Sequence, residues 1–76
     1  MPKRDVARSW SQGQPAKAGN FWTDGEKLFS YNLVVGETRK GKKILFDYMS
    51  GGSHGFVSMT TSHHVGAARQ FADVIE

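Results

Sequence analysis

The sequence predicts an α+β fold: an antiparallel three- to four-stranded sheet packed against one C-terminal helix, with an irregular N-terminal arm. Three observations carry this expectation. Residues 27–60 alternate apolar and polar side chains in short runs separated by glycine-bearing turns. The last segment changes to helical spacing. Residues 1–20 mix Pro2, Gly13, Pro15 and Gly19 with Ser, Gln, Lys and Ala and sustain no apolar period.

The arm, 1–20, precedes a small domain spanning 21–76. Trp10 is its expected anchor on the body, and Val6-Ala7-Arg8 has the composition of a helical turn. Asp24-Gly25 is a strong turn signal, and Phe21-Trp22 before it reads as a short strand. A first long strand is expected over Lys27–Val35, with Phe29, Tyr31, Leu33 and Val35 on one face. Its turn, Glu37 to Lys42, reads as longer than two residues, with Gly36 and Gly41 free to take positive φ. A second strand, Lys43–Met49, alternates Ile44, Phe46 and Tyr48 with Leu45, Asp47 and Met49. The loop Ser50-Gly51-Gly52-Ser53-His54-Gly55 leads to a third strand, Gly55–Thr60. The helix opens at Thr60–His64 with Thr61 or Ser62 as N-cap, and Val65, Ala68, Phe71, Ala72 and Ile75 form its apolar stripe. Connections this short suit hairpins and rule out parallel crossovers in this length.

Seventy-six residues make one small domain. A core of that size leaves about 3–5 kcal/mol of net stability. There is no cysteine to staple it or to hold zinc as thiolate, which suits a reducing compartment. No apolar run spans a bilayer, and no apolar signal segment follows Met1-Pro2-Lys3-Arg4-Asp5, so the expected location is cytoplasmic. The net charge is +3, but residues 1–43 hold nine Lys and Arg against four acids (+5), and residues 44–76 hold one against three (−2). One-sided basic charge favours a polyanionic partner.

Two junctions concentrate the chemistry. Arg39, Lys40, Lys42 and Lys43 surround a hairpin turn, where mobile cations can rest on a phosphate backbone, and Lys3, Arg4 and Arg8 can add contacts from the arm. The plainer alternative is a solvated turn kept soluble by lysines. At the helix start, Thr61, Ser62, His63 and His64 form a possible anion site, set against ordinary capping with neutral surface histidines. An anion site there predicts binding that strengthens below pH ~6.5 as imidazoles gain charge. His54, His63 and His64 make a poor metal set, because adjacent histidines rarely point at one ion, and no metal or other cofactor is expected. Gly52-Ser53-His54-Gly55 lacks the spacing of a nucleophile elbow, and no phosphate loop is present, so enzyme activity is not expected. Tyr31 and Tyr48 read as core aromatics with hydroxyls at the rim rather than as base-stacking rings.

Thr23-Asp24-Gly25, Leu28-Phe29-Ser30-Tyr31-Asn32 and Ser58-Met59-Thr60-Thr61-Ser62-His63-His64 together resemble a family of small uncharacterised proteins of bacteriophages, archaeal viruses and their hosts. The resemblance covers roughly residues 20–70. Its members often carry Lys or Arg where this chain has His63, so a fixed cation at that position is not part of the pattern here. What it implies is a phage or mobile-element accessory protein working inside a host cell. The expected activity is non-enzymatic contact with nucleic acid, DNA or RNA. The alternative is an inhibitor of a host protein, such as a component of an antiviral defence complex. A sheet with one open face and a free edge also allows a homodimer.

Overall fold

The chain begins with a helix, α1 (Lys3–Ser11), made by one short apolar stripe. Val6, Ala7 and Trp10 are fully buried, while Lys3, Arg4 and Arg8 face solvent. Asp5 in the first turn and Arg8 in the last both suit the helix dipole. Gly13, at φ 73, ends it: the Gly13 N–H reaches the Trp10 carbonyl and the Gln14 N–H the Ser9 carbonyl. Those are the two bonds of a Schellman motif. Residues 3–11, expected within an irregular arm, are thus helical and supply core. Nine residues are too few for the 3.6-residue period to announce itself. The computed structural model describes residues 2–48, 52 and 54–76.

Six strands form one sheet in chain order: β1 (Ala16–Ala18), β2 (Phe21–Thr23), β3 (Leu28–Ser30), β4 (Leu33–Arg39), β5 (Lys42–Leu45) and β6 (Val74–Ile75). The first five are an antiparallel meander; β6 runs parallel to β5. The α+β class stands, but the sheet is larger than three or four strands, and it is mixed. The parallel pair exists because the chain between Leu45 and Val74 is long enough to hold a crossover helix, α2 (Met59–Ala68).

The strand expected over Lys27–Val35 is two strands. Ser30 pairs with Leu33 across a two-residue turn in which Tyr31 takes φ 58. Such a turn leaves sequence alternation unbroken while reversing the chain, so Phe29, Tyr31, Leu33 and Val35 do not share a face. Between Leu28 and Phe29 the partner in β4 slips from Gly36 to Val34, a bulge that lets β4 bury Val35 and Gly36 in succession. The second strand ends at Leu45, and Met49, Ser50, Gly51 and Ser53 lie outside the described residues. The expected third strand is absent: residues 55–58 are irregular, and Met59 and Thr60 already belong to α2. Ser58 is the N-cap, ahead of the expected Thr61 or Ser62; its Oγ accepts from the Thr61 N–H at 3.1 Å. A 3₁₀ turn, Arg69–Phe71, then leads into β6, so Ile75 ends in a strand rather than on the helical stripe.

Both helices pack on the same face of the sheet. His64 of α2 stacks on Phe21 of β2, and Trp10 of α1 lies against Gly36 of β4. The indole fits only because Gly36 has no side chain: a Cβ there would stand 2.8 Å from Trp10 Cζ2 and 3.2 Å from the Ile44 carbonyl oxygen. The ring is fully buried, and its Nε1 donates to the Glu26 carbonyl at 2.9 Å, so it has no room to withdraw. Gly36→Ala is therefore expected to lower stability by about 1–3 kcal/mol in urea titration, as overpacking does. A loss below about 0.5 kcal/mol, the range of neutral surface changes, would mean the indole is not the fixed contact described.

Candidate nucleic-acid interface

The β4–β5 hairpin closes on Lys40 (φ 53) and Gly41 (φ 78), positive at both central positions as a type I′ turn requires. This two-residue turn is tighter than expected, and it fixes which cation faces where. Arg39 pairs with Lys42, and Thr38 with Lys43. Facing pairs alternate between the two sides of a sheet, so Lys42 and Lys43 point oppositely.

Lys43 goes inside. Its Nζ donates to Thr38 Oγ1 at 2.6 Å and to the Gly25 carbonyl at 3.0 Å, and it sits 5.7 Å from the centre of the Trp10 ring. Only 8% of the residue is exposed, and that burial lowers its pKa. It is a core lysine, out of reach of a phosphate. Arg39 lies on the other face, where its guanidinium meets Glu37 and Glu76, both at 2.9 Å. Those two carboxylates raise its pKa and occupy its donors. Of the four turn cations, Lys40 and Lys42 alone are exposed without an ion pair to a described residue. Lys3, Arg4 and Arg8 are exposed along α1.

The helix start is spent on the fold. Ser58 Oγ takes the Thr61 N–H and donates to Thr61 Oγ1 at 3.1 Å. Thr61 Oγ1 lies 3.0 Å from Ser30 Oγ, and Ser30 Oγ 2.7 Å from His64 Nδ1. With Ser58 donating first, each hydroxyl hands its proton onward, and Nδ1 becomes the final acceptor. This order assigns the neutral, Nε2-protonated tautomer to His64, whose ring stacks on Phe21 at 4.5 Å. Thr61, Ser30 and His64 are all buried. Ser62 donates to the Tyr48 carbonyl at 3.4 Å, and His63 is exposed by itself. The four residues expected at an anion site are thus divided between interior and surface. Asp73 and Glu76 lie beyond the helix, where Asp73 accepts from the Lys43 N–H and Glu76 holds Arg39. Ser30 and His64 form a hydroxyl–imidazole pair, but a buried hydroxyl gives a substrate nothing to meet.

His54 packs on Phe46 and Tyr48, and among the described residues no three His, Cys, Asp or Glu gather as metal ligands. Those residues enclose no pocket. Tyr48 packs against the core as expected, whereas Tyr31 is 47% exposed at its turn. The residues that sequence pattern missed are Trp22 and Phe29. They face each other across β2 and β3, with centroids 3.9 Å apart and planes within 8°. Their signal was present: a four-residue loop around Asp24-Gly25 brings Trp22 opposite Phe29. Asp24 Oδ1 closes that loop by accepting the Glu26 and Lys27 N–H groups, which holds its pKa below the usual carboxylate value. No protein-family model, curated protein or solved structure matches the chain.

Burial, with lesser effects from Lys3 and His63, lowers the His64 pKa. The unfolded chain therefore binds a proton that the native imidazole resists, and stability must rise with pH through that window. Thermal melts are expected to be level above pH ~6.5 and to fall steadily below it. His64→Asn keeps an acceptor near Nδ1 but cannot titrate, so its melting temperature should show a flatter acid limb. Equal acid limbs would remove His64 as the cause.

Proposed function

We propose that this chain is a non-enzymatic binding module that contacts nucleic-acid phosphates, in the phage or mobile-element setting that its sequence resemblance implies. What supports this is how the fold divides the charges. Asp24, Glu37, Asp47, Asp73 and Glu76 are engaged by backbone N–H groups or arginines. Lys3, Arg4, Arg8, Lys17, Lys27, Lys40 and Lys42 are exposed and make no ion pair with a described residue. Cations free of carboxylates exchange their counterions for phosphates, which is the source of salt-dependent affinity. Lys40 and Lys42 are the strongest candidates, because a type I′ turn presents them on a rigid tip.

A second reading has its own support. Phe56, Val57 and Met59, just before and at the start of α2, are 52%, 51% and 65% exposed. Apolar side chains in such a row suit a protein partner, as an inhibitor of a host complex would require. Pull-down from nuclease-treated lysate separates the two, since a partner bridged by nucleic acid is lost and a direct one is retained.

Fluorescence anisotropy against a labelled duplex at several salt concentrations tests the leading proposal. Lys40→Asn suits the positive φ of its position and removes the charge, and Lys42→Gln removes the second. The double variant should keep its fold and flatten the slope of log affinity against log salt by about 2, near 0.9 for each phosphate. No binding at low salt, or a slope unchanged by both substitutions, would sink the proposal.

A further inference from the structure

We infer that the sheet face opposite the helices is a platform for single-stranded nucleic acid, with bases stacking on the Trp22–Phe29 pair. The inference rests on the phosphate-binding proposal and narrows it to a strand class and a surface.

The register places Lys17, Trp22, Phe29 and Val34 in one row across β1 to β4. Lys17 is exposed and the other three are partly exposed. The residues on the opposite side of these strands, Phe21, Leu28 and Ser30, are buried beneath the helices. A stacked cross-strand aromatic pair strengthens the β2–β3 pairing, and here both rings also keep part of their surface in solvent.

The pair is also held in place. Trp22 Nε1 donates to the Tyr31 carbonyl at 2.9 Å, and Phe29 covers one face of the indole. The carbonyl that fixes the ring belongs to a tyrosine at φ 58, a conformation bulky residues seldom adopt. Tyr31 is itself held by its N–H, which donates to the Asn20 carbonyl at 2.6 Å. A ring fixed before binding loses little freedom when a base stacks on it.

Charge selects the occupant. Lys17 stands directly opposite Trp22 on the side away from Phe29, and Lys42 faces Arg39 further along the same side of the sheet. The carboxylates there, Glu37 and Glu76, are taken up by Arg39, which leaves the lysines for a polyanion. A duplex can offer phosphates to these lysines, but its bases are already stacked on one another. Only an unpaired strand can bring a base face to an aromatic ring.

The test compares a labelled thymidine oligonucleotide with a duplex of equal length at low salt. Tighter binding of the single strand is expected, with Trp22→Leu weakening it roughly fivefold to a hundredfold and leaving duplex affinity unchanged. In proton–nitrogen spectra of the unaltered protein, the oligonucleotide should shift the Trp22 indole signal and leave that of buried Trp10 in place. That second measurement holds even if Trp22→Leu does not fold. Equal affinity for both strands with a still Trp22 signal overturns the platform while the phosphate proposal survives. Failure to bind either nucleic acid overturns both. Loss of binding to a protein partner on Trp22→Leu, with no oligonucleotide bound, assigns the face to that partner and also overturns the inference.

Discussion

The indole of Trp10 joins α1, β4, the β2–β3 loop and β5 at one buried point. Its ring ties α1 to β4 at Gly36, its Nε1 holds the β2–β3 loop through Glu26, and the Lys43 ammonium of β5 rests over its face. A tryptophan buries 150–250 Å², or about 4–6 kcal/mol of transfer free energy at 25 cal/mol per Å². That is an upper estimate, since an unfolded chain already hides some of this area, yet it rivals the net stability of so small a domain. Folding without this contact would leave α1 a short, highly charged helix with little reason to persist. The same contact explains why Lys43 is lost to the surface. Its stem lies along the core, and its charge is met by two oxygens and a ring.

How much was legible in the sequence depended on whether local chemistry or tertiary packing decided the outcome. Asp24-Gly25 and Gly41 are local turn signals, and each marks a turn that is present. The N-cap was placed three or four residues too late because Thr61 and Ser62 are as good cappers as Ser58; only the geometry shows that Thr61 is already used by Ser30. Tyr31 concealed a turn, since nothing in a tyrosine announces positive φ. Residues 74–75 concealed a strand, since β6 exists through the backbone bonds it makes to β5: the Asp73 N–H to the Lys43 carbonyl and the Glu76 N–H to the Leu45 carbonyl. Such pairing leaves almost no trace in two residues of sequence.

The buried chain from Ser58 through Thr61 and Ser30 to His64 shows the fold competing with function for the same groups. A helix N-terminus with two threonines, a serine and two histidines has the composition of an anion site. Packing the helix onto Phe21 takes the Thr61 hydroxyl and the His64 imidazole inward, where each must be satisfied by a partner within the protein. Among the described residues, no fully buried side-chain nitrogen or oxygen is left without one. A group that completes a buried network cannot also bind an anion without reopening the core. The pH response of His64 is therefore one of folding, with sign opposite to that of a histidine recruited to hold a phosphate.

Charge counted along the sequence likewise misleads until the register is known. Four cations around one turn suggest four phosphate contacts, but a two-residue turn divides its flanks between two faces and sends Lys43 to the core. Arg39 is drawn the other way, into a pair of carboxylates contributed by its own strand and by the last residue of the chain. What remains is a more selective arrangement. Lys42 and Lys17 stand on the same side of the sheet as two stacked rings, and the local acids are already engaged. Cations alone would hold any phosphate backbone in any orientation. On the platform we propose, the fixed, partly exposed Trp22 and Phe29 rings between them would turn a general electrostatic attraction into a preference for strands whose bases are free.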